Sequence, residues 1–139
     1  MITDLPSTLY GDAVDLWHLV GLTRPWNDPS QDLQRAVTGP SSTVLAQVDD
    51  GRLLGTAMVG TDGHRGWMYY LAVTPEAQRQ GLGRQLVAAA EQWVLGRGIP
   101  KLMLMVRTDN AGVLAFYAAL GYELNDVATL GKRLEIVAT

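Results

Sequence analysis

A buried strand that runs through a polar loop into a glycine-opened helix constrains this chain more than any other feature. Residues 67–73 are nearly all apolar, the pattern of a strand covered on both faces. The next residues are polar and include Pro75, so they read as a loop. From residue 80 to 95 a helical stripe follows, with Leu82, Leu86, Ala90 and Trp93 on one face, and Gly98 and Pro100 end it. The first amides of such a helix lack internal partners and sit at the positive end of its dipole. Gly81 and Gly83 carry no side chain, so a ligand can approach the backbone closely, and Arg79 and Arg84 add charge. A terminus of this kind receives phosphate or pyrophosphate. The spacing is not the three-glycine dinucleotide fingerprint, and no Gly-Lys-Ser/Thr follows as in a P-loop. Taken alone, the glycine pair also fits plain tight packing of strand on helix.

The other elements follow from periodicity and punctuation. Residues 11–22 are apolar at Val14, Leu16, Trp17, Leu19 and Val20, a helical spacing that stops before Pro25. Residues 24–29 read as a rigid loop, and Ser30 is placed to cap a second helix to about Val37, ended by Thr38, Gly39 and Pro40. Residues 42–48 alternate, with Val44, Ala46 and Val48 on one face. Asp49, Asp50 and Gly51 form a hairpin turn, and residues 53–59 return, closed by residues 60–63. Residues 101–106 are another apolar strand. Asn110 is a good N-cap for a helix ending at Leu120, with Gly121 just beyond. Tyr122 onward predicts one or two closing strands, with a turn near Asn125 and Asp126 and a break at Gly131. Residues 2–5 read as a short edge strand, limited by Pro6. Two helices, a hairpin, then strand, helix, strand, helix and strand make an α+β chain with a mixed sheet.

Composition narrows the partners. The 139 residues fit one domain spanning 1–139, and 47% of them are apolar, enough for a core. A net charge of -3 without runs of one sign argues against nucleic acid or a membrane surface as partner. No stretch reads as a signal peptide or a membrane span, so a cytoplasmic location is expected. With no cysteine there is no thiolate nucleophile or Cys-based metal site, and with only His18 and His64 no metal is expected.

The sequence Gln78-Arg79-Gln80-Gly81-Leu82-Gly83 resembles the Q/R-x-x-G-x-G/A signature of the GNAT acetyltransferases, and residues 71–75 resemble the strand that leads into it. Downstream, residues 106–110, then Ala115-Phe116-Tyr117, then Leu120-Gly121-Tyr122-Glu123 are similar to the family's V-x-x-x-N, FY and LGF/Y pattern. The resemblance is strong from Leu71 to Glu123. Residues 24–29, 62–66 and 130–134 extend it to the small YpeA-type branch. It implies a three-layer α/β fold in which the strand at 71–73 and the strand at 101–106 run parallel and then splay. Acetyl-CoA is then the cosubstrate. Leu71, Ala72 and Val73 would hold the pantetheine arm, chiefly through the main chain of Leu71 and Val73. Gln78, Arg79, Gln80, Gly81, Leu82, Gly83 and Arg84 would hold the pyrophosphate. Asn110 would contact the arm, and the Tyr117 hydroxyl would lie near the thioester sulfur. Family members are often dimers, so a homodimer is an expectation here.

Attack of an amine on a thioester needs a neutral amine, a stabilised oxyanion and a proton for the departing thiolate. Tyr117 is the candidate general acid; a phenol at its ordinary pKa of about 10 holds its proton at neutral pH. Without the resemblance, Tyr117 reads as a packing residue beside Val113 and Leu120. The glutamates that serve as base in parts of the family are missing: residues 67–70 are apolar or aromatic, and Met105 stands at the other position. Either the amine deprotonates through ordered water or the base comes from elsewhere, and there His64 is the candidate, since histidine changes charge near neutral pH. Arg24, Trp26, Asn27, Asp28, Asp62 and Arg65 are candidates for the acceptor side, weighed against a solvated hairpin turn at 62–65 and a core-plugging Trp26. The expected acceptor is a primary amine on a small molecule, an amino acid or a protein N-terminus. The competing readings are a non-catalytic acetyl-CoA-binding regulatory module and a generic phosphate-binding domain.

Overall fold

The hairpin read at residues 42–59 forms the middle of a five-stranded sheet in the computed structural model, which describes residues 1–136. The strands are β1 (Ile2–Asp4), β2 (Ser42–Asp49), β3 (Arg52–Thr61), β4 (Gly66–Val73) and β5 (Leu102–Leu104), and they lie in that order. The first four pair antiparallel, and β5 pairs parallel with β4. The β2–β3 turn has φ 51° at Asp50 and 75° at Gly51, the twist that matches paired strands.

Two helices, α1 (Tyr10–Leu19) and α2 (Pro29–Thr38), cover one face, where Trp17, Leu16 and Leu33 meet Val44, Ala46 and Met58 in a buried cluster. The amphipathic α3 (Leu82–Leu95) covers the other with Leu86, Val87, Ala90 and Val94. The expected α+β fold with a mixed sheet is therefore present. The described chain falls into two compact units: Met1–Met105 holds the whole sheet with α1 to α3, and the second begins at Val106 and holds α4 (Ala111–Ala119).

Three expectations need correction. The cap of α2 is Asp28, not Ser30: its Oδ1 accepts from Ser30 N at 3.0 Å and Gln31 N at 3.2 Å. Pro29 supplies the preset first helical residue, which lacks the N–H that position leaves unpaired. The strand at 101–106 pairs only over Leu102–Leu104, because β4 offers it three partners, Gly66 to Met68. No strand forms among residues 122–136. Apolar residues there bury almost nothing (Leu130 is 92% exposed and Ile136 94%), and an extended segment without a covered face gains too little to form a strand.

Candidate active site

β4 and the loop after it build the site. The parallel pairing with β5 ends at Met68 opposite Leu104, while β4 keeps its antiparallel partner as far as Val73. The register with β3 slips in between: Tyr69 lies opposite Met58, but Ala72 lies opposite Thr56. Ala57 therefore faces two residues, Tyr70 and Leu71, as in a β-bulge, and Tyr70 takes a left-handed φ of 51°. The extra residue changes which groups face the open edge. Thr74 N donates to Leu54 O at 2.8 Å, so Thr74, and Ala72 two residues before it, point to β3. The main-chain groups of Leu71 and Val73 then point to the edge that β5 has left. Gln78 Nε2 donates to the Val73 carbonyl at 3.1 Å.

The loop turns through a single 3-10 turn, Pro75–Ala77, pinned by Thr74 Oγ1 donating to Glu76 Oε2 at 2.7 Å. That bond, then the backbone, hold the Glu76 carboxyl below its usual value. Arg79 at φ 68° and Gly81 at φ 79° then bring the chain into α3. No side chain caps α3 and its first turn holds no acid, so its leading amides and dipole are left for an outside anion. Arg79, Gln80, Gly81 and Arg84 are exposed there, Gly83 is half-buried, and Leu82 turns into the core.

In the second unit, Asn110 caps α4 as expected, its Oδ1 accepting from Val113 N at 3.2 Å. The cap uses the oxygen and leaves the amide donors of Asn110 for other work. Tyr117 is 8% exposed, with Phe116 and Tyr122 edge-on at 5.0 and 5.5 Å between ring centroids. Burial pushes its phenol up to about 12.

The acceptor-side candidates fall into two groups. In the α1–α2 loop, Arg24 folds back to donate to the carbonyls of Gly21 and Thr23, both at 2.9 Å. Asn27 N donates to Arg24 O, Trp26 is 54% exposed, and Asp28 caps α2. In the β3–β4 turn, Asp62 Oδ1 accepts from His64 N at 2.8 Å and Arg65 N at 2.9 Å. These two bonds, Arg65 first, hold its carboxyl below the usual range. His64 is exposed, and Arg65 Nη1 donates to the His64 carbonyl. The turn lies beside Ser41, whose carbonyl accepts from Thr61 N, and so beyond the far end of α2 from Asp28. Ten residues of helix separate them by roughly 15 Å, and the structure does not bring the two groups together.

A further group gathers around the bulge without any local mark in the residue order. Tyr70 stacks on the buried Trp17, and its hydroxyl donates to Asp32 on α2. Tyr70 reads as one more member of an apolar strand, and Asp32 lies 38 residues away, beyond the reach of periodicity. Among the described residues no group of His, Asp or Glu side chains is placed to hold a metal, and no helix is long and apolar enough to cross a membrane.

The fold is similar to that of an aminoglycoside acetyltransferase from an uncultured soil metagenomic sample, solved in complex with sisomicin. The TM-score is 0.79 at 18% identity, covering 97% of this chain and 96% of that one. It is equally similar to aminoglycoside acetyltransferase AAC(6')-Iy in complex with the bisubstrate analogue CoA-S-monomethyl-acetylneamine. There the TM-score is 0.80 at 19% identity, covering 96% of this chain and 98% of the other. The family model described as Acetyltransferase (GNAT) family matches residues 11–122. An acetyltransferase from Pectobacterium atrosepticum is 42% identical over 122 residues, 88% of this chain and 86% of that protein. The chain belongs to the GNAT acetyltransferase family. It is an acetyl-CoA-dependent acetyltransferase that transfers acetyl to an amine, which removes the generic phosphate-binding domain as a reading.

Proposed function

We propose that the chain works as one domain that acetylates a primary amine by direct attack within a ternary complex. The acceptor class is a small molecule, an amino acid or a peptide N-terminus. The family model supports the single domain, since its match runs across both units. The observation that carries the cofactor reading is the uncapped, acid-free terminus of α3 after a strand whose parallel partner stops at Met68. The amides and side chains of residues 78–84 hold the pyrophosphate. Leu71 and Val73, with Ala72 between them, pair with the pantetheine arm, and Asn110 donates to it.

In the reaction the amine nitrogen bonds to the thioester carbonyl carbon and the C–S bond breaks. Tyr117 gives its proton to the departing sulfur and is reprotonated from water, while the attacking nitrogen sheds its proton to His64. Burial raises the Tyr117 phenol to about 12, above an ordinary thiol, so its first role is to hydrogen-bond the developing thiolate. The Leu71 amide polarises the carbonyl. Arg24, Trp26, Asn27 and Asp28 on one side, and Asp62 and Arg65 on the other, select the acceptor. The resemblance of residues 24–29, 62–66 and 130–134 supports the YpeA-type branch, and the frequency of dimers in the family supports a homodimer.

The test is release of CoA thiol, read with a thiol-reactive dye across amines, aminoglycosides, amino acids and N-terminal peptides. The chain has no cysteine, so it adds no background. Turnover on one class identifies the acceptor. Silence across the panel with acetyl-CoA bound would overturn the acceptor classes proposed.

A further inference from the structure

Three side chains, Trp17, Thr56 and Asp32, converge on one residue of β4. Trp17 is fully buried, and its ring stacks on Tyr70 with centroids 4.0 Å apart and planes 17° from parallel. The Trp17 indole N–H donates to Thr56 Oγ1 at 2.9 Å. The Thr56 hydroxyl, itself buried, donates to the main-chain carbonyl of Tyr70 at 2.9 Å. At the other end of the ring, the Tyr70 hydroxyl donates to Asp32 Oδ2 at 2.7 Å, while Arg35 holds Asp32 Oδ1 at 2.6 Å. Burial, then the bond to Asp32, push the Tyr70 phenol far above its usual value, so it remains a donor.

The residue so held is the left-handed member of the bulge, at φ 51°. A bulky aromatic residue rarely adopts this conformation and keeps it only where its surroundings over-determine it. Here α1 grips the ring face, β3 grips the carbonyl and α2 grips the hydroxyl.

The consequence is a change of phase along β4. Before the bulge, Gly66 and Met68 direct their main-chain groups toward β5, since Gly66 N donates to Lys101 O at 2.9 Å. In a regular strand the same direction would recur at Tyr70 and Ala72. The extra residue moves it to Leu71 and Val73, because Ala72 now pairs with Thr56. Relaxing the bulge would turn the Leu71 and Val73 amides and carbonyls into the sheet and present the wrong residues at the edge.

We propose that Trp17, Thr56 and Asp32 are positioning residues for acetyl-CoA: by holding Tyr70 left-handed they set which main-chain groups of β4 meet the pantetheine arm. All three act through Tyr70. The proposal rests on the assignment of the Leu71–Val73 edge to that arm.

CoA and ADP separate the two contributions, since ADP reaches only the pyrophosphate loop and CoA also engages the edge. Calorimetric titration of both ligands into the wild type, Tyr70→Phe, Asp32→Ala, Thr56→Val and Thr56→Ser tests the clamp. Losing one clamp bond is expected to weaken CoA by roughly threefold to tenfold while leaving ADP unchanged. Thr56→Ser keeps the hydroxyl and should retain wild-type affinity for both. Equal effects on CoA and ADP, or none on either, in folded Tyr70→Phe and Asp32→Ala would overturn the proposal. These two variants remove groups at the outer end of the clamp, so they keep the test open if Thr56→Val fails to fold. A wild type that binds CoA no better than ADP would instead overturn the edge assignment, and the proposal with it.

Discussion

Gly66 lies directly against Val94: a Cβ added to Gly66 would sit 2.6 Å from Val94 Cγ2. Gly66 opens β4, and its N–H donates to Lys101 O at the start of the parallel pair. The missing side chain lets α3 rest on the sheet where β4 and β5 still run together. Gly66→Ala must push α3 away or shift β4, an overpacking cost of about 1–3 kcal/mol. Urea unfolding should show a lower midpoint with an unchanged slope. An unchanged midpoint would mean that the contact yields freely.

Gly81 stands at φ 79° immediately before the first turn of α3. Gly81→Asp adds both backbone strain and a negative charge where the pyrophosphate is assigned. Acetyl-CoA affinity should fall by at least about tenfold in a protein that still melts cooperatively. Calorimetric titration checks it, and retained affinity would remove residues 78–84 from the cofactor site.

Tyr117→Phe should lower kcat by about 100-fold and leave the KM for acetyl-CoA nearly unchanged, since only the proton is lost. Burial also makes Tyr117 a pH-dependent element of stability. The unfolded chain releases this proton near its ordinary value of about 10, and the folded chain holds it to about 12. Between those values the folded state binds more protons, so stability falls as pH rises through that window. Thermal melts from pH 9 to 12 should show a smaller alkaline loss in Tyr117→Phe. His64→Ala should lower kcat/KM by roughly tenfold or more if the turn takes the amine proton. An unchanged pH–rate profile in that variant would remove His64 from the mechanism.

Asp28 caps α2 and is also a candidate for the acceptor side, and two substitutions separate the roles. Asp28→Ala should cost about 1 kcal/mol, read as a lower melting temperature. Asp28→Ser keeps a capping oxygen but removes the charge. A higher acceptor KM in a fully stable Asp28→Ser protein marks a substrate contact. Wild-type kinetics there would leave Asp28 as a cap alone.

Much of this site was legible from short-range pattern. The glycines at 81 and 83 after an apolar strand, the cap at Asn110 and the turn at Asp50 and Gly51 each act within about four residues. Their chemistry shows in the order of side chains. The α2 cap was misplaced by two residues because Asp28 and Ser30 are both good caps, and only backbone direction chooses between them. The closing strands expected after Tyr122 did not form among the described residues, since alternation such as Leu134 and Ile136 marks a strand only when a neighbour covers it.

From sequence alone come the element order, the glycine-opened start of α3, the two family motifs and hence the acetyl-transfer chemistry. These rest on local signals that survive in any fold. Tertiary structure alone decided that β5 leaves β4 after Met68 and that Tyr70 bulges. It also decided that Leu71 and Val73, rather than Tyr70 and Ala72, face the open edge. An all-apolar strand has no period from which to read its phase. That phase is set by hydrogen bonds and ring contacts to Trp17, Asp32 and Thr56, which only the folded chain brings together.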